Sequence, residues 1–596
     1  MLFVVSASYS QKSECAEPNK KADRLFQKAV LDNFRSRESY GYLIEAVKQD
    51  PDFAEALSVL AHLNYEKYRK NTYQFQSEGS RAKSYFEKVN SVCPSYRNYE
   101  ALFFLGKYHF DLKEYGRALE YLDDFIAKGK PEAKNAKEAK TMKARIDQYN
   151  KIFDNPVPFE PKRVEGITTD DDEYLPMLSP DNQYLFYTRK TEVDSKSIYG
   201  KQTRELFMQS RKKYDGNYSS GIPMPEPFNK GRYQGGASIS VDNKLLFITV
   251  VEQVALRDGR LFSNGDIYYS EFKNGHWSDL RSIGDHINGL YTWEGQPSIS
   301  ADNRTLYFSS AREKDNYGGM DLYKSELQEN GEWGPPINLG PKINTSGDEK
   351  SPFMHSDSYT LYFSSDGHPG VGGLDIFFSK IDENGEFTDP VNLGFPINTE
   401  EDENGFMVST DGRYGYFSSN PENKGLDIYN FKLPEEARPQ EVMFVKGKIQ
   451  SKKKDAAVGM EIELKNTATN KVTRGVVDEE SGEYVAVIAA GEKEDVMMIA
   501  KKNGYAFTSQ YIQSSEEVVG KPQRVEPMDF NPIEAGSTYR INNVNFATAS
   551  YDLTQQVKNI LDEFVGFLQD NPSVKVKIQG HTDNVGNASE NLLLSK

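Results

Sequence analysis

Between residues 157 and 433 a short pattern, apolar-Ser-x-Asp-Asn, returns at nearly even spacing. It reads Leu178-Ser179-Pro180-Asp181-Asn182, then Ile239-Ser240-Val241-Asp242-Asn243, then Ile299-Ser300-Ala301-Asp302-Asn303. Two looser copies follow, at Met354 to Asp357 and at Val408 to Asp411. The five aspartates are 61, 60, 55 and 54 residues apart. At such a period each copy is a small unit that buries its apolar face only against its neighbours. After each Asp comes an alternating run, such as Leu185-Phe186-Tyr187 or Leu361-Tyr362-Phe363, with the two-residue period of a strand. A Gly-rich turn and an Asp-apolar-aromatic strand come next, as in Asp321-Leu322-Tyr323 and Asp375-Ile376-Phe377. Closing a tight turn through its side chain is the expected task of the repeated Asp.

A fourth strand is predicted in three units, over 277–287, 333–343 and 387–397. The fifth unit has none, because the chain turns charged after Leu433-Pro434. A matching strand stands ahead of the first unit instead, within 159–169. A missing last strand supplied from the N-terminal side closes a ring, so residues 157–433 are expected to form a five-bladed β-propeller. The Ser-x-Asp-(Asn/Gly)-x-x-Leu-Tyr-Phe core resembles the WD40-like repeat group, which also occurs in TolB-type propellers. Eight residues before the repeat Asp stand Glu173, Glu294, Glu349 and Glu403, with Gln234 in the fifth place. They read either as an acidic ring near the channel, drawing a cation or a basic partner, or as turn chemistry copied with the fold. The second is simpler, since repeats copy scaffold residues first.

The remaining segments have other periods. At roughly 150 residues per domain, 596 residues suggest about four folding units. The net charge of −17 repels phosphate backbones and argues against nucleic-acid binding. Met1 to Val5 is apolar and small residues follow, so 1–20 is expected to be a truncated signal-like N-terminus. Lys12-Ser13-Glu14 fits poorly before a lipidated Cys, and Cys15 is expected to be a free thiol; two cysteines offer neither a disulfide framework nor a zinc site. Over 21–150 apolar residues recur at helical spacing, as in Leu25, Phe26, Ala29 and Val30. Leu105-Gly106 followed by Ala118, Leu122 and Phe125 resembles the tetratricopeptide repeat, which implies a surface for another protein; an ordinary helical bundle is the alternative. Short alternating strands fill 441–530, and Ser481-Gly482-Glu483-Tyr484, Gly491 and Gly504-Tyr505 resemble the carboxypeptidase regulatory-like domain, a non-catalytic β-sandwich.

The last segment, 538–596, is the most specific. A strand over Tyr539 to Phe546, a helix over Leu553 to Leu568 and a strand over Val574 to Ile578 are predicted, followed by Gly580-His581-Thr582-Asp583 and Asn591-x-x-Leu594-Ser595. This order resembles the C-terminal peptidoglycan-binding domain of the OmpA family. The resemblance implies that Asp583, flanked by Thr582 and with Asn591 in the following motif, holds the ammonium of diaminopimelate in the stem peptide. An Arg at position 598 is expected to grip its carboxylate, which makes the domain truncated at Lys596. His581 beside one Asp makes a poor metal site, and neither metal nor cofactor is expected.

The expected fold class is therefore multidomain α and β: helical repeat, five-bladed propeller, small sandwich and truncated α/β OmpA-like domain. That order resembles the PorE-like components of the type IX secretion system. It implies a non-enzymatic adaptor in the periplasm, associated with outer membrane and cell wall, holding peptidoglycan at one end and secretion or envelope proteins through its helical repeats and propeller. Two alternatives are a general OmpA-family envelope tether and a propeller enzyme processing cell-wall glycans.

Overall fold

The computed structural model describes residues 15–579 apart from 33, 35, 73, 131–133, 194–201, 231–232, 257–258, 421–424, 454, 492–493, 516–520, 547–549 and 551. The chain divides into two compact units, Met1–Asp154 and Asn155–Lys596.

The first unit is helical: α1 (Lys20–Leu31), α2 (Arg37–Gln49), α3 (Ala54–Lys70), α4 (Gln76–Val92), α5 (Glu100–Asp111), α6 (Tyr115–Lys128) and α7 (Lys134–Asp154). Asn19 caps α1 by accepting from the backbone N–H groups of Lys21 and Ala22, and Ser36 caps α2. Short connections pair α1 with α2, α3 with α4 and α5 with α6. Small residues set the closeness of these pairs. A Cβ on Gly106 would stand 2.8 Å from Leu122 of α6, and one on Gly79 would stand 2.7 Å from the Tyr68 ring. The expectation of a free thiol at Cys15 is corrected here. Cys15 and Cys93 form a disulfide with Cα atoms 5.4 Å apart, because the segment before α1 returns to the end of α4. A pairing across 78 residues leaves no mark in local sequence.

The second unit begins with five antiparallel sheets. The first holds Asp172–Leu178, Tyr184–Val193, Gln202–Arg211 and Ile222–Pro223. The second holds Tyr233–Ile239, Leu245–Ala255, Leu261–Lys273 and Arg281–Ser282, with His276–Trp277 added beside it. The third runs from Glu294–Ile299 through Thr305–Ser310 and Asp321–Glu326 to Ile337–Asn338, and the fourth from Glu349–Met354 through Thr360–Ser365 and Asp375–Lys380 to Val391–Asn392. The fifth supplies Met407–Val408, Tyr414–Ser419 and Asp427–Lys432, and its outer strand is Lys162–Arg163, paired as Lys162 with Asn430 and Arg163 with Tyr429. The outer strands are two residues long, shorter than the runs predicted; in the first four sheets the loop that follows is held by Asn229, Asn288, Asn344 or Asn398 bonded back to the sheet. The first sheet also has an outer strand, which its sequence did not reveal.

Each repeat turn is a side-chain construction. The Ser179 hydroxyl donates to Asp181 Oδ1 (2.7 Å) and accepts from the Tyr184 N–H (2.9 Å), and the Gln183 N–H donates to the same carboxylate oxygen (3.2 Å). Asn182, Asn243 and Asn303 take left-handed φ of 55°, 63° and 59°, a region where Asn is strongly favoured over branched residues. In the fourth copy His355 replaces Ser and accepts from the Asp357 N–H through Nδ1 (3.1 Å).

Beyond the five sheets two further sheets face each other over a core that includes Met443, Val445, Ile462, Tyr484 and Met498. The charged linker before them is not free. Ala437 is buried, and its carbonyl accepts from the Tyr362 hydroxyl (2.5 Å). One sheet of the sandwich rests on the repeat turns, where Val442, Phe444, Val485 and Val487 pack against Val241 and Ala301. Finally α8 (Gln555–Asp570), capped by Thr554, lays Ile560 and Phe564 on Met497 and Ile499 of the other sheet and on Phe507 beside it. The strands predicted over 539–546 and 574–578 are not formed. A strand needs a partner for its backbone groups, and Val576 and Ile578 remain exposed while the helix takes the apolar sheet face.

Candidate functional site

The first strand of each sheet, or in the fifth the segment leading into it, carries a left-handed position two after the repeat Glu or Gln: Leu175, Gly236, Gln296, Ser351 and Gly405. In four sheets the pairing register shifts at this point, a bulge between Tyr174 and Met177 and its equivalents. The four bulges, with Gly405 at the equivalent place of the fifth sheet, bring these residues to one central cavity of about 90 Å³. Hydrogen bonds between neighbouring sheets join them: the Ser351 N–H donates to Gln296 Oε1 (2.8 Å), and the Ser351 hydroxyl donates to Asn404 Oδ1 (2.5 Å). Its lining is apolar and neutral, with no carboxylate, imidazole, ammonium or guanidinium among the described residues.

The four glutamates do not line that cavity. Each turns into the loop of its own sheet. Glu173 is fully buried, accepts from the Thr169 N–H (3.2 Å) and hydroxyl (2.5 Å), and pairs with Arg189 at 2.7 Å. Glu294 accepts from the Gly289 N–H (2.8 Å), the Ser310 hydroxyl (2.7 Å) and, at 3.5 Å, Arg312. Glu349 accepts from the Thr345 N–H (2.8 Å) and hydroxyl (2.7 Å) and from Ser365 (2.7 Å). Glu403 repeats the Thr399 pair at 3.0 and 2.5 Å. Burial raises the carboxyls of Glu173 and Glu349 against the opposing pull of these donors. Burial also pushes Glu403 up to about 7, with Asp375 and Asp402 adding to the effect. The place of Gln234 is neutral, and Gln234 accepts from the Asn229 N–H (3.1 Å).

Sequence reading missed the groups that complete these loops. Arg189, Arg312 and His368 reach across to the carbonyls of Ile167, Ile287 and Ile343, each at 2.8 Å. Asn229, Asn288, Asn344 and Asn398 accept from the N–H groups of Phe207, Ile267, Leu322 and Ile376 at 2.7 to 2.9 Å. An apolar residue followed by Asn, as in Phe228-Asn229 and Ile287-Asn288, was the available signal.

Thr582, Asp583 and Asn591 lie outside the described residues. No group of three or more His, Cys, Asp or Glu side chains poised for a metal occurs among the described residues. No helix among them is long and apolar enough to cross a membrane.

Comparison with known proteins finds a family at the C-terminal end: the OmpA family matches residues 545–596. No curated protein matches the sequence. Among solved structures, a glycoside hydrolase is 10% identical with a TM-score of 0.34, covering 49% of this chain and 96% of its own. A glycosyl hydrolase from Bacteroides ovatus is 11% identical with a TM-score of 0.31, over 48% and 98%. The catalytic domain of a GH62 α-L-arabinofuranosidase from Coprinopsis cinerea is 9% identical with a TM-score of 0.29, over 46% and 96%.

Proposed function

We propose that this protein is a non-enzymatic periplasmic adaptor, similar to the PorE-like components of type IX secretion, that ties an outer-membrane-associated assembly to peptidoglycan. The observation that carries this reading is the OmpA-family match over 545–596, which contains Asp583 with Thr582 and Asn591 in the family's motif. A carboxylate at Asp583 suits the ammonium of diaminopimelate. The Cys15–Cys93 disulfide supports an oxidising compartment such as the periplasm. In this reading the five sheets are the blades of a five-bladed propeller closed by Lys162–Arg163, the helical unit is a tetratricopeptide-like array, and the sandwich is a regulatory-like module. Helices and propeller hold protein partners. The neutral central cavity supports a scaffold over a hydrolase, since glycoside hydrolysis uses a facing pair of carboxyl groups.

Sedimentation with purified sacculi tests the reading. The protein is expected to sediment and Asp583→Ala to stay in the supernatant; equal sedimentation overturns the assignment. The same match carries a coarser reading, an OmpA-family tether outside any secretion system. Crosslinking in cells separates the two, because the adaptor reading requires secretion-system proteins in the crosslinked species.

A further inference from the structure

The edge of the first sheet and the hairpin Phe272 to Trp277 of the second enclose a cavity of about 420 Å³. It shares no lining residue with the central cavity. Its volume lies in the range of small-ligand sites, about 300 to 1,000 Å³. The space coincides with a polar residue at a place where two of the other sheets set an aromatic one. In the second sheet the residue before Ser270 is Tyr269, which packs with Leu245 and Trp333 onto the core shared with the third sheet. In the fourth sheet the same place holds Phe378, part of the core shared with the fifth. In the first sheet it holds Gln209, opposite Ile222, and the junction stays open.

Two kinds of chemistry meet there. Trp277 is held edge-on by Phe228, with centroids 5.6 Å apart, and leans on Phe272 at 5.3 Å, while Tyr184 forms a further aromatic wall. Arg211 is anchored through its backbone N–H to the Ser219 hydroxyl (3.0 Å), and its exposed guanidinium makes no ion pair among the described residues. Glu226 and His276 also line the cavity, and Glu226 is paired with Lys230 at 2.8 Å on its exposed side. Flat aromatic walls suit the C–H face of a sugar ring, and a free guanidinium fork suits a carboxylate.

We propose that this cavity binds a pyranoside that carries a carboxylate, the ring lying on Trp277 and the carboxylate meeting Arg211. Muramic acid in wall glycan stripped of its stem peptides and uronic acid in an envelope polysaccharide both have this chemistry. Calorimetric titration of the full chain distinguishes them, using the peptide-free disaccharide GlcNAc-MurNAc, digalacturonate, and the uncharged N,N′-diacetylchitobiose. At least one carboxylated sugar is expected to bind ten-fold or more tightly than chitobiose, and which one binds assigns the source. Arg211→Ala is expected to erase that difference. Phe272→Ala, at a partly exposed position, is expected to weaken binding several-fold with the fold intact by circular dichroism. Absence of heat with all three sugars, equal binding of chitobiose, or an Arg211→Ala variant that binds as before overturns the proposal. The probes carry no stem peptide, so failure of the sacculus experiment leaves this one readable.

Discussion

Within its turn the repeat aspartate ties two groups through one oxygen. In the third copy, Asp302 Oδ1 accepts from the Ser300 hydroxyl (2.5 Å) and from the Arg304 N–H (3.0 Å). Asp302→Ala leaves both donors without this partner and is expected to cost about 1–3 kcal/mol, read as a lower urea midpoint with unchanged slope. Glu403 predicts a pH dependence of opposite sense to an ordinary ion pair. Its folded carboxyl is raised from 4.5 to about 7 by burial, so the folded state holds a proton that the unfolded state has lost. Stability from this group is therefore full below about pH 4.5 and falls as pH rises towards 7. Glu403→Gln removes the titration, and thermal melts are expected to show the variant gaining on the parent at pH 8 relative to pH 5. Equal differences at both pH values would contradict the assignment. The Ser-x-Asp-Asn turn was legible in sequence because every partner lies within five residues. Arg189 was not, because the carbonyl it reaches belongs to Ile167, 22 residues away. Nor does Leu175 announce its left-handed φ of 53°, whereas Gly405 at the equivalent place permits it openly.

At the scale of elements, small residues and one covalent link decide how the helices sit. Gly106→Val forces a branched side chain into the 2.8 Å gap beside Leu122, and overpacking of this kind costs about 1–3 kcal/mol. The contrasting variant is Gly116→Ala in α6, where a Cβ meets nothing within 4 Å. It is expected to be neutral or to stabilise by up to about 1 kcal/mol through helix propensity. Chemical denaturation of the two variants side by side checks the contrast. Reducing Cys15–Cys93 opens a closure across 78 residues and is expected to lower stability by up to about 4.5 kcal/mol on loop entropy alone. Helices were readable from periodicity because their hydrogen bonds are local. The strands expected over 539–546 and 574–578 were not decided by alternation, since a strand is fixed by its neighbour, and in this structure α8 has the neighbour.

At the scale of the second unit, charged contacts accompany the apolar seat of the sandwich on the repeat turns. Lys446 meets Asp181 at 2.8 Å, Lys244 pairs with Asp478, and the Gln440 N–H donates to Asp357 (2.9 Å). Burial works to raise all three carboxyls, but Lys446 outweighs it at Asp181, Lys244 and the Ser481 N–H at Asp478, and His355 with the N–H groups of its own turn at Asp357. Asp181 ends below its ordinary value, and Asp357 and Asp478 fall to about 2. Two repeat aspartates thus serve a second task that no repeat pattern could disclose, because Lys446 lies 265 residues from Asp181. Depressed carboxyls stabilise the fold above their unfolded values near 3.8, and that contribution is lost as pH falls towards 2. Above about pH 4 the five sheets and the sandwich are therefore expected to unfold together, and as the Lys446–Asp181 and Lys244–Asp478 pairs protonate towards pH 2 the sandwich is expected to separate first. Val241→Asp, which puts a charge into the apolar seat, is expected to produce the same separation at neutral pH. Scanning calorimetry resolves the outcome: one endotherm for sheets and sandwich in the parent at neutral pH, and two in the variant. A single endotherm in the variant at an unchanged temperature would mean that the seat does not couple the two. Coupling of this kind would let a load on the five sheets pass through the sandwich to α8, whose Glu563 is paired with Lys465 at 2.6 Å, and so to the segment that carries Asp583.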